Sequence, residues 1–396
     1  MRCVRSQPWR PQFFGGGYAV KNHSSSYLKT LPWNIAAALM VAVAVCAPML
    51  AAAQDAALSA DLHVEHMFSR AQAGYVQDQI KLARAYQLGQ GVGRDPVASA
   101  QWFLKAANFG SPMAQTQMGY LYIMGDGVPR DEQQAFKWFQ RAAAEDYAPA
   151  QFDLAYLLLN GVGGHQDVQA SATWITQAAR QGFAPAQVDL AILYARGVGV
   201  ASDEAEAMHW CQEAVKQHFA PGEFLLGLMH ETGMGATKDL PEAATWYRKA
   251  AEQGDSRAQN NLGGLYEEGT GVPQDTQEAI KWYKLAAQQG NGNGYMNLAY
   301  LYSGAHGVEP DYTMAYFWAL LAQRSPWPMS TRPSQEVIDR LRAHLSAQQA
   351  ASVDTQAKYW TSQHPADAFP SGSTGTWSLF LIPLPPNSTE EQAKQQ

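Results

Sequence analysis

A tryptophan recurs every 36 residues through most of this 396-residue chain, and that period constrains the fold more than any other feature. Glycine, aspartate and alanine keep the same spacing, without an insertion, through seven copies. A fixed period of this length is the signature of a repeat architecture, in which each unit stacks on its neighbours. We therefore expect one elongated core rather than a single compact one. The four columns are Trp102, Trp138, Trp174, Trp210, Trp246, Trp282 and Trp318; Gly91, Gly127, Gly163, Gly199, Gly235, Gly271 and Gly307; Asp95, Asp131, Asp167, Asp203, Asp239, Asp275 and Asp311; and Ala106, Ala142, Ala178, Ala214, Ala250, Ala286 and Ala322.

Each copy is predicted to be a pair of amphipathic helices. In the sixth copy, the apolar residues of 262–266 and 279–286 follow the i, i+3, i+4, i+7 spacing of a helix with one buried face. Gly269 is predicted to end the first helix in a left-handed conformation, Asp275 to cap the second helix, and Gly290 to end it. Small residues in the column of Gly263 would let the two helices approach closely. The tryptophan is expected to fill the gap toward the following copy.

These motifs resemble a known family. The sixth copy carries Ala-x-x-x-Leu-Gly-x-x-Tyr, then Gly-x-Gly-Val-x-x-Asp, then Ala-x-x-Trp-Tyr-x-x-Ala-Ala-x-x-Gly, and this pattern resembles the Sel1-like repeat, a relative of the tetratricopeptide repeat. The resemblance covers about residues 77–324. It implies an all-α fold, a right-handed superhelical solenoid of helix-turn-helix repeats. His230 in copy five and Gly304–Gly307 in copy seven depart from the pattern, so local helix ends are expected to differ there.

The first 53 residues predict export. They contain five basic and no acidic side chains, and the apolar stretch 35–53 ends in an Ala-x-Ala exit, so cleavage is expected after Ala53 and the protein is placed in the periplasm or outside the cell. The alternative is an uncleaved anchor, since these 19 residues are just long enough to span a bilayer. Cleavage leaves 23 basic and 35 acidic side chains, a charge of −12 without basic clusters, which argues against nucleic-acid binding. The remaining segments are an N-terminal capping helix in 54–76, seven repeats in 77–328, C-terminal capping helices in 329–363 and a flexible Pro/Ser-rich tail in 364–396.

No group of residues predicts catalysis. The glycines of 89–93 follow a predicted helix rather than a strand and recur in every copy, which indicates a turn and not a phosphate cradle. His63 and His66, like His209 and Cys211, lack a third metal ligand at a suitable spacing. Cys211 stands in a column of Phe, Tyr and Ile, so we expect a buried, inert thiol. No catalytic residue, cofactor site or metal site is predicted.

The first helices suggest a surface for a partner. The columns that vary between copies lie at i, i+4 and i+7, on one face that would line the concave side of a right-handed superhelix, where such arrays hold peptides or helices. Asp153, Asp189, Glu231 and Glu267 beside it would favour basic partners. Alternatively, these side chains pack against the adjacent first helix or the chain's own tail. The predicted partner-binding residues are Tyr120, Ile123, Phe152, Tyr156, Leu159, Ile192, Phe224, Leu228 and Tyr300.

Two classes of function remain. The first is a non-enzymatic scaffold or regulator in the bacterial envelope, which binds another envelope or secreted protein, or a peptide or helix, in this groove, as the resemblance implies. No nucleic acid is expected as a partner, nor insertion into a membrane after cleavage. The alternative is a β-lactamase-like or penicillin-binding enzyme of the kind described for cysteine-rich Sel1-like proteins. It is disfavoured because the repeats contain no cysteine pairs.

Overall fold

The computed structural model describes residues 64–325 and 332–363. The chain divides into a unit of residues 1–66, of which only 64–66 are described, and a unit of residues 67–396, which holds the repeats. The regular secondary structure of the described residues is helical, without a strand. No helix among them is long and apolar enough to cross a bilayer. The predicted export segment 1–53 and the predicted tail 364–396 lie outside the described residues, and both stay predictions.

Seven helix pairs follow one another in phase with the 36-residue period, which confirms the predicted all-α solenoid. Helix α1, residues 64–72, precedes them, and α16 (Gln335–Arg342) and α17 (Ala347–Gln363) follow. The first helices of the repeats are α2 (Val76–Leu88), α4 (Pro112–Met124), α6 (Ala148–Asn160), α8 (Ala184–Arg196), α10 (Ala220–Thr232), α12 (Ser256–Glu268) and α14 (Gly292–Tyr302). The second helices are α3 (Pro96–Asn108), α5 (Glu132–Ala144), α7 (Val168–Arg180), α9 (Glu204–Val215), α11 (Leu240–Glu252), α13 (Thr276–Gln288) and α15 (Tyr312–Arg324).

The aspartate and glycine columns set the ends of the helices. The aspartate before every second helix accepts a backbone N–H of the first turn, as Asp275 does from Gln277 and Glu278, at 3.0 Å each. Gly269 ends α12 with φ at 73°, in the left-handed region that favours glycine. Both predictions are confirmed. In the seventh repeat the first helix ends early, at Tyr302, and a 3-10 turn follows, whereas α10 keeps its full length around His230.

The second glycine of each turn, the column of Gly127, touches the preceding repeat. Gly127 has φ at +74°, and a Cβ on it would lie 2.0 Å from the carbonyl oxygen of Pro96, at the start of α3. The same approach recurs in the third repeat, where a Cβ on Gly163 would lie 2.1 Å from the carbonyl oxygen of Glu132. Glycine is therefore needed both for the backbone conformation and for close stacking of the repeats.

Two of the first six repeats lack the glycine that follows the second helix in the other four. Asp146 and His218 both have φ at 54°, where Gly182 and Gly254 stand in the equivalent positions. A residue with a Cβ costs about 1–2 kcal/mol in this conformation. We expect His218→Gly to raise the free energy of unfolding by about 1 kcal/mol, because the added freedom of the unfolded chain offsets part of the gain.

Urea unfolding of the purified protein measures this change. A matched control is His209→Gly in the exposed face of α9, which removes the same side chain from a helix interior and should lower stability by about 1 kcal/mol. If His218→Gly lowers stability as well, the left-handed strain at His218 is refuted.

Small residues bring the two helices of a repeat together, as predicted. A Cβ on Gly119 would lie 2.7 Å from the ring of Phe139, and one on Gly263 would lie 2.7 Å from the ring of Tyr283. Each aromatic ring of the second helix therefore packs directly on the backbone of the first. In the third repeat these two columns hold Ala155 and Ile175. The side chain of the first helix is larger there than glycine, and that of the second helix is smaller than Phe or Tyr.

Trp102 and Trp138 pack toward the preceding helices, so the predicted packing toward the following repeat is wrong for these two. Trp102 meets Phe68 of α1 edge-on, with 5.8 Å between ring centroids. Trp138 belongs to the core cluster of α1 to α4, and not to the cluster that α5 forms with α6. The reason is the helical angle: the next residue, Phe139, faces the first helix of its own repeat, which turns Trp138 back toward α3 and α4.

Helices α16 and α17 lie in the range predicted for C-terminal caps and cover the last repeat. The Ser334 hydroxyl accepts the N–H of Val337 at the start of α16, at 3.3 Å. In α17, the Trp360 ring lies 5.7 Å from that of Trp318, and its Nε1 donates to the hydroxyl of Tyr295 at 3.3 Å. The apolar side of the seventh repeat is thereby buried, as the end of a repeat array requires.

Candidate functional site

One column of the first helices faces outward, and we call it the A face. Its residues occupy the eighth position after the start of each first helix, the central column of the predicted groove. Arg84 and Tyr300 are exposed, Tyr120, Tyr156 and Leu228 are half-buried, and Ile192 is buried. The A face consists of Arg84, Tyr120, Tyr156, Ile192, Leu228, Gly264 and Tyr300.

Most residues in the other two columns of the predicted groove turn inward, and Ile123 is half-buried. Phe152 is 1% exposed and meets Phe183 of the next repeat edge-on, with 5.6 Å between centroids. Phe224 is 8% exposed, and the guanidinium of Arg257 lies 4.5 Å from its ring centroid. Leu159 of these columns is buried as well, and so is Ile192 of the A face. These four side chains stabilise the stacking of repeats, so a partner would reach Tyr120, Ile123, Tyr156, Leu228 and Tyr300 among the predicted residues.

The structure brings three of these accessible residues together. Tyr120, Ile123 and Tyr156 pack with Tyr147 on the core cluster of α5 and α6, and we call these four residues the tyrosine patch. The Tyr120 ring meets that of Phe139 edge-on at 5.2 Å. Leu228 packs instead on the cores of the fourth to sixth repeats, and Tyr300 lies against His306, with 5.9 Å between ring centroids. The predicted groove is thus divided, and its densest part spans repeats two and three.

Tyr147 was not predicted, because it precedes α6 and stands outside the helical pattern. Its column held a usable signal, since Phe183 and Phe219 occupy the same position in the next two repeats. Burial raises the pKa of Tyr147, and the charge of Asp153 raises it further while that of Arg84 lowers it. The charges of Asp153 and Arg84 therefore act on Tyr147 in opposite directions.

Asp153 fixes the position of Tyr120. The Tyr120 hydroxyl donates to Oδ2 of Asp153 at 2.5 Å, which links α4 to α6. The carboxyl is 1% exposed, and its Oδ1 has no hydrogen-bond partner among the described residues. Burial raises the pKa of Asp153 well above its usual value, and the hydrogen bond from Tyr120 lowers it in part. Asp153 is therefore a structural group, and its buried carboxyl is not accessible to a partner.

Two other acidic residues predicted to favour basic partners are also engaged in packing. The Tyr247 hydroxyl donates to Glu231, and the Tyr283 hydroxyl donates to Glu267 at 2.5 Å. Glu267 also lies 3.3 Å from Nε2 of His306. In both repeats a tyrosine of the second helix binds a carboxylate of the first, so the pair holds the two helices together. Asp189, the fourth predicted residue, is 1% exposed.

A buried glutamine column, which sequence reasoning passed over, joins successive repeats. Gln151 Nε2 donates to the carbonyl oxygen of Ala143, at the end of the preceding second helix, at 3.3 Å. Its Oε1 accepts from Gln181 Nε2 of its own repeat at 2.8 Å. The glutamine thus satisfies a carbonyl that the helix end leaves open. The 36-residue period could have revealed it, since the same bond recurs at Gln79, Gln115, Gln187 and Gln259.

Reactive groups are few in the described part of the chain. Cys211 is buried, its Sγ donates to the carbonyl oxygen of Gly222 at 3.4 Å, and burial raises the pKa of the thiol. This confirms the predicted buried cysteine. Within residues 64–325 and 332–363, no three His, Cys, Asp or Glu side chains are grouped as metal ligands. A depression lined by 130–133 and 163–165 lies open beside the turn between α4 and α5.

Comparison with known proteins identifies the repeat. The family model described as "Sel1 repeat" matches residues 76–110, 112–147, 148–183, 184–219, 220–255, 256–291 and 293–322. The structure is similar to that of a Sel1 repeat protein from Oxalobacter formigenes, with 31% identity, a TM-score of 0.54 and coverage of 78% of this chain and 81% of the other. It is also similar to c5321, a protective antigen of uropathogenic Escherichia coli with an SLR fold, at 26% identity, a TM-score of 0.51 and coverage of 75% and 71%. No curated protein matches the chain.

Proposed function

The chain belongs to the Sel1 repeat family, and we propose that it is a non-enzymatic scaffold that holds another protein against the A face. Sel1 repeat proteins generally mediate protein–protein interaction, and their fold is typically a non-catalytic scaffold. The observation that carries the proposal is the tyrosine patch, in which Tyr120, Tyr147 and Tyr156 lie half-buried against the core cluster of α5 and α6.

Such a patch suits protein recognition for a physical reason. Tyrosine offers a large contact area with only two side-chain torsions to fix, so little conformational entropy is lost when a partner binds. The hydrogen bond from Tyr120 to Asp153 and the contact with Phe139 hold one ring in place before binding. Preorganised aromatic side chains of this kind dominate the binding energy of many interfaces. An apolar helix or peptide segment of a partner would therefore pack across α4 and α6.

A pair of double variants tests this surface. Tyr156→Ala with Leu228→Ala removes two A-face side chains, in repeats three and five, and should reduce capture of the partner from an envelope fraction at least about tenfold. The matched control, Thr173→Ala with Thr245→Ala, changes the exposed side of the second helices in the same two repeats and should leave capture unchanged. Quantitative mass spectrometry of crosslinked, affinity-purified complexes gives the measurement.

Circular dichroism and thermal unfolding establish that the wild type and both double variants are folded before they are compared. Equal capture by the wild type and the A-face variant refutes the proposal, as does loss of capture by the control variant alone. Capture that falls only with the A-face variant supports it.

We also propose that the scaffold works in the bacterial envelope or outside the cell. The support comes from the basic first residues, the apolar stretch 35–53 and its Ala-x-Ala exit. N-terminal sequencing of the protein isolated from cells is expected to begin at Gln54. A protein that starts at Met1 and stays in the cytosolic fraction would contradict export.

A further inference from the structure

Exposed apolar side chains are concentrated at the start of the array. Of the nine large apolar residues that are exposed in the described part of the chain, six lie within residues 68–109. Isolated exposed apolar residues are common, but a concentration of them marks a binding surface. The six are Phe68, Tyr75, Leu88, Val97, Leu104 and Phe109, with exposed fractions between 36% and 66%.

Four of these residues form what we call the outer patch: Phe68, Val97, Leu104 and Phe109. Phe68 and Leu104 are 36 residues apart and occupy the same position on α1 and α3. Val97 lies two helical turns before Leu104, on the same side of α3. Phe109 follows the end of α3. The patch lies on second-helix positions and is thus separate from the A face.

The later repeats place polar side chains where the first repeat is apolar. In repeats two to six, the position of Leu104 is held by Gln140, Thr176, Gln212, Arg248 and Lys284. The position of Phe109 is held by Glu145 and then by glutamine four times. The scaffold therefore does not need apolar side chains at these positions.

The first repeat differs in charge from the rest of the array, and this difference indicates which kind of partner surface the outer patch would bind. Residues 64–110 carry five basic and three acidic side chains, a formal charge of +2, whereas residues 111–363 carry 17 basic and 27 acidic, a charge of −10. Lys105 follows Leu104, and its ammonium group lies 3.7 Å from the ring centroid of Trp102. Arg70, two residues beyond Phe68, pairs with Asp78 at 2.7 Å. Basic and aromatic side chains together are typical of proteins that bind the interface of an anionic bilayer.

We propose that the outer patch docks the array on an anionic lipid surface, without inserting a helix. The apolar side chains would enter the headgroup region while Lys105 contacts lipid phosphates. The chain length before the array agrees with this: ten residues, 54–63, separate the predicted cleavage site from α1. If the apolar stretch 35–53 is retained as an anchor, these residues reach at most about 35 Å, so the first repeat is the one tethered to the membrane.

Cosedimentation with vesicles tests the proposal on the mature chain, residues 54–396. Vesicles of phosphatidylethanolamine with phosphatidylglycerol provide the anionic surface, and phosphatidylcholine vesicles the neutral one. The wild type should bind the anionic vesicles and lose binding as salt rises. Leu104→Gln with Phe109→Gln should weaken the vesicle partition coefficient at least about tenfold. Both substitutions introduce a residue that later repeats carry at the same position, so the fold is expected to tolerate them.

The control variant is Met124→Gln, which removes an apolar side chain of 65% exposure in the second repeat and should leave vesicle binding unchanged. No binding of the wild type to anionic vesicles overturns the proposal, and so does equal binding by the outer-patch variant. Light scattering of the wild type gives a further check: a dimer that the outer-patch variant dissociates, with no vesicle binding, would assign the patch to a second copy of the chain and refute lipid docking.

Discussion

Trp138→Ala is expected to lower the free energy of unfolding by about 3–5 kcal/mol, the usual cost of removing a buried tryptophan. Trp138 is 7% exposed and completes the core cluster that the first repeat shares with α4. The guanidinium of Arg141 lies 4.8 Å from its ring centroid and would lose that contact. The junction between repeats one and two should therefore open first when the variant unfolds.

Urea unfolding measures the loss of stability. It is followed by far-UV circular dichroism, since the substitution removes a tryptophan and would change the fluorescence. Hydrogen exchange shows which helices unfold first. Trp174→Ala offers a comparison within the chain, because Trp174 occupies the same column in the next repeat but is only half-buried, so its loss should cost less. A cost for Trp138→Ala that does not exceed that for Trp174→Ala would refute the assignment of Trp138 to the preceding core.

Gly127→Ala is expected to lower the free energy of unfolding by about 2–5 kcal/mol, although it adds a single methyl group. The left-handed backbone at Gly127 costs an alanine about 1–2 kcal/mol, and overpacking against the carbonyl of Pro96 costs about 1–3 kcal/mol more. The neighbouring atom belongs to the backbone of α3, so it cannot swing aside as a flexible side chain would. The strain must be relieved by moving one repeat relative to the next.

Gly93→Ala is the matched control. Gly93 has no left-handed φ, and a Cβ on it would meet no atom within 4 Å, so its replacement should change stability by less than about 0.5 kcal/mol. Thermal unfolding of both variants measures the difference in stability between them. Equal melting temperatures would show that the Gly127 turn can relax without cost, contrary to the contact with Pro96.

Most of the fold could be predicted from the sequence, because the seven copies can be compared with one another within one chain. A column such as that of Asp275 or Gly269 recurs only where every unit needs the same cap or the same backbone conformation. The direction of Trp138 could not be predicted, since a column shows that a side chain is buried but not which neighbour buries it. That choice depends on the angle at which successive pairs stack.

The candidate site was predicted only in part for the same reason. Tyr120 and Phe152 belong to two variable columns that are four positions apart on the first helices. The sequence pattern predicts the same accessible face for both columns. Stacking of the repeats places Phe152 against Phe183 while Tyr120 stays half-buried. The carboxylates were misleading too, because Glu267 accepts a tyrosine hydroxyl from its own repeat. The sequence identified the acidic residues, but only the packing shows which carboxylates already accept a hydrogen bond within the protein.

The glutamine that joins successive repeats makes the length of the array adjustable. A tandem duplication of residues 148–183 would place the copied Gln151 beside Ala179, which stands where Ala143 stands in the present chain. The new seam would keep this hydrogen bond, so a repeat that carries the glutamine can be duplicated without losing the bond across its boundary. Recombination between the internal copies of the gene could thus change the number of binding surfaces in steps of one repeat, while the two specialised ends stay as they are.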